Sequence, residues 1–162
     1  MNIIGPDDLV FGVDDVPHFS GLVNRNSCEV SALAAAVPEW PTSQELRFPV
    51  RLCRFDELTA GSARGFDPLR RGEDTIFLLR RGACIRAYHN RCPHQGVRLE
   101  YRKDRFLSAD GERVICYAHG AHFDADSGTC THGPCLGQAL TAVPCGVEDG
   151  WVTIWLVAGQ ML

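Results

Sequence analysis

Two short Cys/His pairs constrain this chain more than any other feature of its sequence. Asn90-Arg-Cys92-Pro-His94-Gln-Gly supplies one thiol and one imidazole, and Cys116-Tyr-Ala-His119-Gly supplies another of each after a gap of 21 residues. Each pair is short enough for one loop to present both donors, and the flanking Pro and Gly let the backbone wrap closely around an ion or a cluster. The fold must therefore bring two separate loops to one point. Two thiolates with two imidazoles suit a tetrahedral zinc or an iron–sulfur cluster of mixed ligation. Zinc fingers usually carry two cysteines on one knuckle and two histidines on a following helix, whereas here each loop offers one of each. Mixed loops suit a cluster with thiolates on one iron and imidazoles on the other; zinc stands as the competing reading.

The residues around the pairs read as β-structure. Phe48-Pro-Val-Arg-Leu-Cys-Arg-Phe alternates well enough for a strand, and Asp56-Glu-Leu then suggests a turn of helix. Thr75-Ile-Phe-Leu-Leu-Arg-Arg and Ala83-Cys-Ile-Arg-Ala-Tyr are β-rich runs separated by Arg81-Gly82, which predicts a tight hairpin. Later strands are expected at Arg113 to Cys116, His122-Phe123 and Thr129-Cys130, with Asp126-Ser127-Gly128 turning between the last two. Glu148-Asp149-Gly150 turns into Trp151-Val-Thr-Ile-Trp-Leu-Val, a closing strand whose Trp151 and Trp155 share one face, expected to be the core face. Short strands joined by Gly-, Asp- and Pro-bearing turns predict an all-β antiparallel sandwich or barrel.

Charge is unevenly placed. Residues 1–46 hold seven acids against Arg25 alone; with Pro6, Pro17, Pro38 and Pro41 and no sustained periodicity they read as an acidic N-terminal arm, extended or partly disordered. A short helix near Glu29 to Ala36 is compatible with the pattern. The domain proper is placed at 47–162, where Lys103 is the single lysine and no basic stripe of the kind a nucleic-acid binder carries is seen. No run nears the ~18 apolar residues of a membrane span, and Ala32 to Val37 is stopped by Pro38. Asp7, Asp8, Asp14 and Asp15 stand where a secretory signal would be basic and then apolar, so a cytoplasmic location is expected. Eight cysteines in a reducing compartment point to metal or redox chemistry before disulfides. Cys130 and Cys135 are thus expected as free thiols, and Cys28, Cys53, Cys84 and Cys145 as small apolar core residues. His122 and His132, although near the second loop, are expected to bind no metal.

Cys92-Pro-His94-Gln-Gly and Cys116-x-x-His119-Gly resemble the two cluster loops of Rieske proteins. The similarity runs through most of residues 47–157. It takes in the approach strand ending Ala87-Tyr-His-Asn, then Phe123 and Gly128, and Gly133-Pro134, which is similar to the proline loop that covers the cluster in that family. The resemblance implies a Rieske-like β sandwich/barrel with a two-loop cluster-binding subdomain: loops 91–98 and 116–122, and a proline loop at 133–137. It implies one [2Fe-2S] cluster per chain, with Cys92 and Cys116 on the buried iron and His94 and His119 on the outer one. The gap between the loops is longer than in many members. The excess is placed in Tyr101 to Glu112, a charge-rich run whose Asp110-Gly111 turn can form an exposed hairpin. Residues 1–46 match nothing in the family.

Two ferric ions, two sulfides and two thiolates sum to a neutral core, whereas four thiolates would leave it doubly negative. A neutral core accepts an electron more easily, which places such clusters at roughly −150 to +300 mV. High-potential members carry a loop-bridging disulfide and hydroxyls near the cluster. Here Val97 and Ala118 stand where those cysteines would be, and Ala121 and Phe123 where a serine and a tyrosine donate to sulfur. The resemblance therefore implies the low end, near about −150 mV. Such a potential suits a ferredoxin component passing single electrons from a flavin-dependent reductase to an oxygenase through His94 and His119, with no catalytic residues of its own. Two other readings compete: a redox or regulatory small subunit of a larger enzyme such as assimilatory nitrite reductase, and a zinc-binding interaction module. A terminal oxygenase would need a further catalytic domain with its own iron site, for which a chain of this length is expected to be too short.

Overall fold

A computed structural model of the chain describes residues 47–157, so the acidic arm at 1–46, with Cys28 and the helix considered there, lies outside the described residues. The elements are β1 (Arg47–Arg54), a 3-10 turn (Phe55–Glu57), β2 (Ser62–Phe66), β3 (Ile76–Arg81), β4 (Cys84–His89), β5 (Arg113–Cys116), β6 (Ala121–Asp124), β7 (Cys130–His132), β8 (Cys145–Glu148) and β9 (Trp151–Val157). They form three antiparallel three-stranded sheets in the orders β1-β9-β8, β2-β3-β4 and β5-β6-β7. The all-β expectation holds. No helix among the described residues is long and apolar enough to cross a membrane.

The organising strand is β3. Successive side chains of a strand point to opposite faces, and its run Ile76-Phe-Leu-Leu is apolar at every position and fully buried. Phe77 and Leu79 enter one core with Tyr88, Val114 and Phe123; Ile76 and Leu78 enter a second with Ile85, Val152 and Ile154. The middle sheet thus serves two cores, one shared with β5-β6-β7 and one with β1-β9-β8.

Turn chemistry follows the sequence where φ must be positive. Asp149 (φ 52°) and Gly150 (φ 77°) link β8 to β9 as a two-residue hairpin loop with both central residues left-handed. Gly82 (φ 58°) opens the equally short β3–β4 connection. Two strands were not expected: β2, Ser-Ala-Arg-Gly-Phe, and β8, Cys-Gly-Val-Glu, each too polar and glycine-bearing to alternate on its own. Both are recruited by stronger neighbours, β2 by β3 and β8 by β9.

The long gap between the Cys/His pairs departs from its expected form. Leu107 bridges to Val114 and Ser108 pairs with Arg113, so a short hairpin does form around Gly111. It is not merely a solvent-facing excursion, because Phe106 is fully buried and stacks on Phe77 with ring centroids 4.5 Å apart. Burying one such side chain contributes about 1.5–3 kcal/mol, enough to seat the segment on the core. The tryptophans of β9 also differ from expectation. They share a face, but Val152, Ile154 and Leu156 take the core side. Trp151 and Trp155 are half-buried opposite them, under the Arg54 guanidinium and against Gly146. Every position of β9 is apolar or Thr, so alternation alone could not choose the inner face. Cys53 and Cys145 take the core places expected of them, whereas Cys84 is half-buried and disulfide-bonded.

Candidate metal centre

Both Cys/His loops close in the same manner. The Cys92 carbonyl accepts from the Gly96 N–H at 2.7 Å and the Cys116 carbonyl from the Gly120 N–H at 2.9 Å, each glycine being left-handed (φ 68° and 69°). A left-handed residue reverses the chain at little cost when it is glycine. Each loop is thereby a compact turn that buries its cysteine and turns its histidine outward. In the first, Cys92 N–H also donates to Val97 carbonyl at 2.8 Å, which seals the base of the loop. The second is the β5–β6 connection, with Cys116 paired to Ala121 across the hairpin.

The structure brings the four sequence-predicted residues together as two pairs. Cys92 and Cys116 are buried, 1% and 0% exposed, in the same core cluster. Burial raises the Cys92 thiol above its ordinary range, opposed by the His94 backbone N–H, which donates to its sulfur. His94 and His119 lie further out, their rings edge to face with centroids 4.9 Å apart. His119 is exposed and His94 half-buried. His94 Nδ1 is buried with no hydrogen-bond partner, the state expected of a nitrogen reserved for a metal. Among the described residues no three His, Cys, Asp or Glu side chains converge tightly enough for a single metal ion. His122 and His132 face each other across β6 and β7 at 5.4 Å, apart from the four.

The proline loop seals the thiol end. Gly133 (φ 107°) presses so closely on β6 that a Cβ there would lie 2.8 Å from Ala121 Cα, a distance no side chain could occupy. Gly128 is held as tightly under the Tyr88 ring, 2.7 Å from where its Cβ would be, while Tyr88 donates from its hydroxyl to Asp126 carbonyl at 3.0 Å. Cys130 and Cys135 are free thiols, as expected, with sulfurs 3.3 Å apart. Burial, reinforced by its sulfur neighbours, pushes the Cys135 thiol up to about 12.

Two supports escaped the sequence reading. Asn90, buried, donates from Nδ2 to the Asp74 carbonyl at 2.8 Å and accepts from the Leu99 N–H at 3.0 Å, tying the start of the first loop to its far side. Its place just before Cys92, in a residue type that habitually bonds backbone, was the available signal. Cys135 is also buried in the same core cluster as Cys92, brought there from a distant segment that no local pattern announces.

Residues 48–147 match the family model of the Rieske [2Fe-2S] domain. The chain belongs to the Rieske [2Fe-2S] domain family. Its three antiparallel sheets are the fold of Rieske ferredoxins: the ferredoxin of carbazole 1,9a-dioxygenase from Nocardioides aromaticivorans IC177 superposes with a TM-score of 0.52 at 25% identity, covering 65% of this chain and 95% of that one. A chain from a complex of reduced oxygenase and oxidized ferredoxin in carbazole 1,9a-dioxygenase gives 0.52 at 23% identity, covering 65% and 91%. Chlorophyllide a oxygenase, chloroplastic, from Chlamydomonas reinhardtii is 34% identical over 77 residues, 45% of this chain. This Rieske domain protein spans 10% of that relative's length.

Proposed function

We propose that this Rieske domain is a ferredoxin-type carrier that binds one [2Fe-2S] cluster per chain and passes single electrons from a flavin-dependent reductase to an oxygenase. The observation that carries the reading is the separation of donors: two thiols buried in one core cluster at the base and two adjoining imidazoles at the outer rim. Cys92 and Cys116 would hold the inner iron, and His94 and His119 the outer one. When bound, the cluster supplies reversible one-electron chemistry in the range typical of mixed ligation. The residues around it bury the thiolate side and leave His119 at the surface, where a partner can approach. Ferredoxin and oxygenase occur together in the carbazole dioxygenase complex that this fold resembles, which supports the partner class. The acidic composition of residues 1–46 is in keeping with a cytoplasmic carrier that meets a basic partner.

Anaerobically purified protein should contain iron and acid-labile sulfide in equal amounts and give the reduced-state paramagnetic resonance of a mixed-ligand cluster. Stoichiometric zinc without sulfide would end the proposal. Changing His119 to Cys should abolish or redshift the visible spectrum, while His122→Ala leaves it nearly unchanged. A second reading is favoured by the match to chlorophyllide a oxygenase: a Rieske domain acting as the electron-entry module of a larger oxygenase. Turnover with a separate oxygenase and reductase, with the chain as soluble intermediary, distinguishes the carrier.

A further inference from the structure

A cavity of about 440 Å³ opens beside the first Cys/His loop, between that loop and the segment leading into β3. Its size falls within the roughly 300–1,000 Å³ common for small-molecule sites. Pro68, Leu69, Ile76 and Leu156 give it an apolar wall. His89 also lines it but adds no charge at neutral pH, because burial holds its imidazole below the usual range.

The charged residues here are mostly spent on one another. Arg98, on the lining, reaches Glu73 at 3.7 Å and Glu100 at 3.0 Å, and Lys103 holds Asp74 at 2.6 Å. Arg91 lines the cavity as well and makes no ion pair among the described residues. Its guanidinium rests on the bare face of Gly96, with Nε 3.0 Å from where a Cβ would stand. With Arg71, also on the lining, four cations meet three carboxylates, and one positive charge is left over. An unpaired guanidinium facing an apolar wall suits a carboxylate carried on a hydrocarbon body. The single excess charge matches a monoanion, whereas a phosphate dianion would overcharge the site and face Glu73 and Asp74 as well.

We propose that this cavity binds a small monocarboxylic acid, with its carboxylate on Arg91 and its hydrocarbon body against Pro68, Leu69, Ile76 and Leu156. The site shares no residue with the four candidate cluster ligands and stands whether or not the chain is an electron carrier. Because Arg91 also rests on Gly96, an occupied cavity bears on the loop that carries Cys92 and His94.

Equilibrium dialysis of the full chain against benzoate, benzamide and phenyl phosphate tests it. Benzoate should bind saturably, and benzamide, of the same shape but uncharged, should bind about tenfold more weakly, since it loses a charge-assisted hydrogen bond. Phenyl phosphate should bind no more tightly than benzoate. Arg91→Ala should erase the preference for the acid over the amide, and Arg91→Lys should restore part of it. Leu69→Asn should weaken both ligands alike. No saturable binding of benzoate, equal binding of acid and amide, tighter binding of phenyl phosphate, or a preference unchanged in Arg91→Ala would each overturn the proposal. Should Arg91→Ala fail to fold, the comparison of the three probes on the native chain decides.

Discussion

The loop from Cys92 to Gly96 and the loop from Cys116 to Gly120 share one backbone closure, a cysteine carbonyl held by the N–H of a left-handed glycine. They differ in what stands behind it. The second loop is the tip of the β5–β6 hairpin, and ladder pairing from Arg113↔Asp124 to Cys116↔Ala121 delivers its candidate ligands in register. The first follows β4 without a return strand, so side chains take the place of a ladder: Asn90 bridges Asp74 and Leu99, and the Arg91 guanidinium lies against Gly96. The same local geometry is thus reached by backbone pairing in one case and by a few buried polar contacts in the other. Single substitutions outside the ligands should therefore harm the first loop far more than the second.

The largest effect serves as the control. Cys92→Ala and Cys116→Ala should each abolish cluster binding, measured as iron and acid-labile sulfide, because both loops must supply a thiolate; a variant that still loads would end the symmetry between them. Next, Asn90→Ala leaves the Leu99 N–H and the Asp74 carbonyl without their partner. It should cost about 2–3 kcal/mol in denaturant unfolding and hasten cluster loss. A loss under about half a kcal/mol would show that the first loop is held otherwise. Smaller again are the glycines. Alanine at either Gly96 or Gly120 must adopt a left-handed backbone, at about 1–2 kcal/mol. At Gly96 the new Cβ also meets Arg91 Nε at 3.0 Å, whereas at Gly120 nothing lies within 4 Å. Gly96→Ala should therefore destabilise more, and the excess should vanish when Arg91 is also changed to Ala.

The smallest expected effect is a pH dependence at the foot of the first loop. Burial holds His89 below the usual imidazole range, and its Nε2 is buried without a partner. The folded chain therefore takes up this proton at lower pH than the unfolded chain does. The stability from keeping His89 neutral is full above the unfolded pKa of about 6.5 and is lost as pH falls through that value toward the folded one. Unfolding free energies measured between pH 7 and 5 should decline less steeply in His89→Gln. Equal slopes would show that His89 contributes nothing.

How far the sequence could be read follows from the same contrast. The two Cys/His loops, the hairpin glycines and the strong strands β3, β4 and β9 were legible because their signals are local: spacing, positive φ, and apolar runs bounded by turns. β2 and β8 were not, since a strand of Ser-Ala-Arg-Gly-Phe exists only because β3 offers an edge. Phe106 is hidden in a charge-rich run that reads as an exposed hairpin, yet its ring sits on Phe77. The inner face of β9 was undecidable from alternation, and aliphatic packing prevailed over the tryptophans. At the candidate centre the two loops were visible in the sequence, while the burial of Cys135 in the same cluster as Cys92 depends on where the 133–137 loop lands.

Because β3 sends Phe77 and Leu79 to one side and Ile76 and Leu78 to the other, it works as a party wall between two rooms. Neither core can loosen without exposing the back of the other, so the half that carries the candidate ligands is braced by a half that never touches them. A Rieske domain that must change charge with little change in shape gains from such bracing. The stiffness of its tip is set as much by the aliphatic packing beneath β1, β8 and β9 as by the loops themselves.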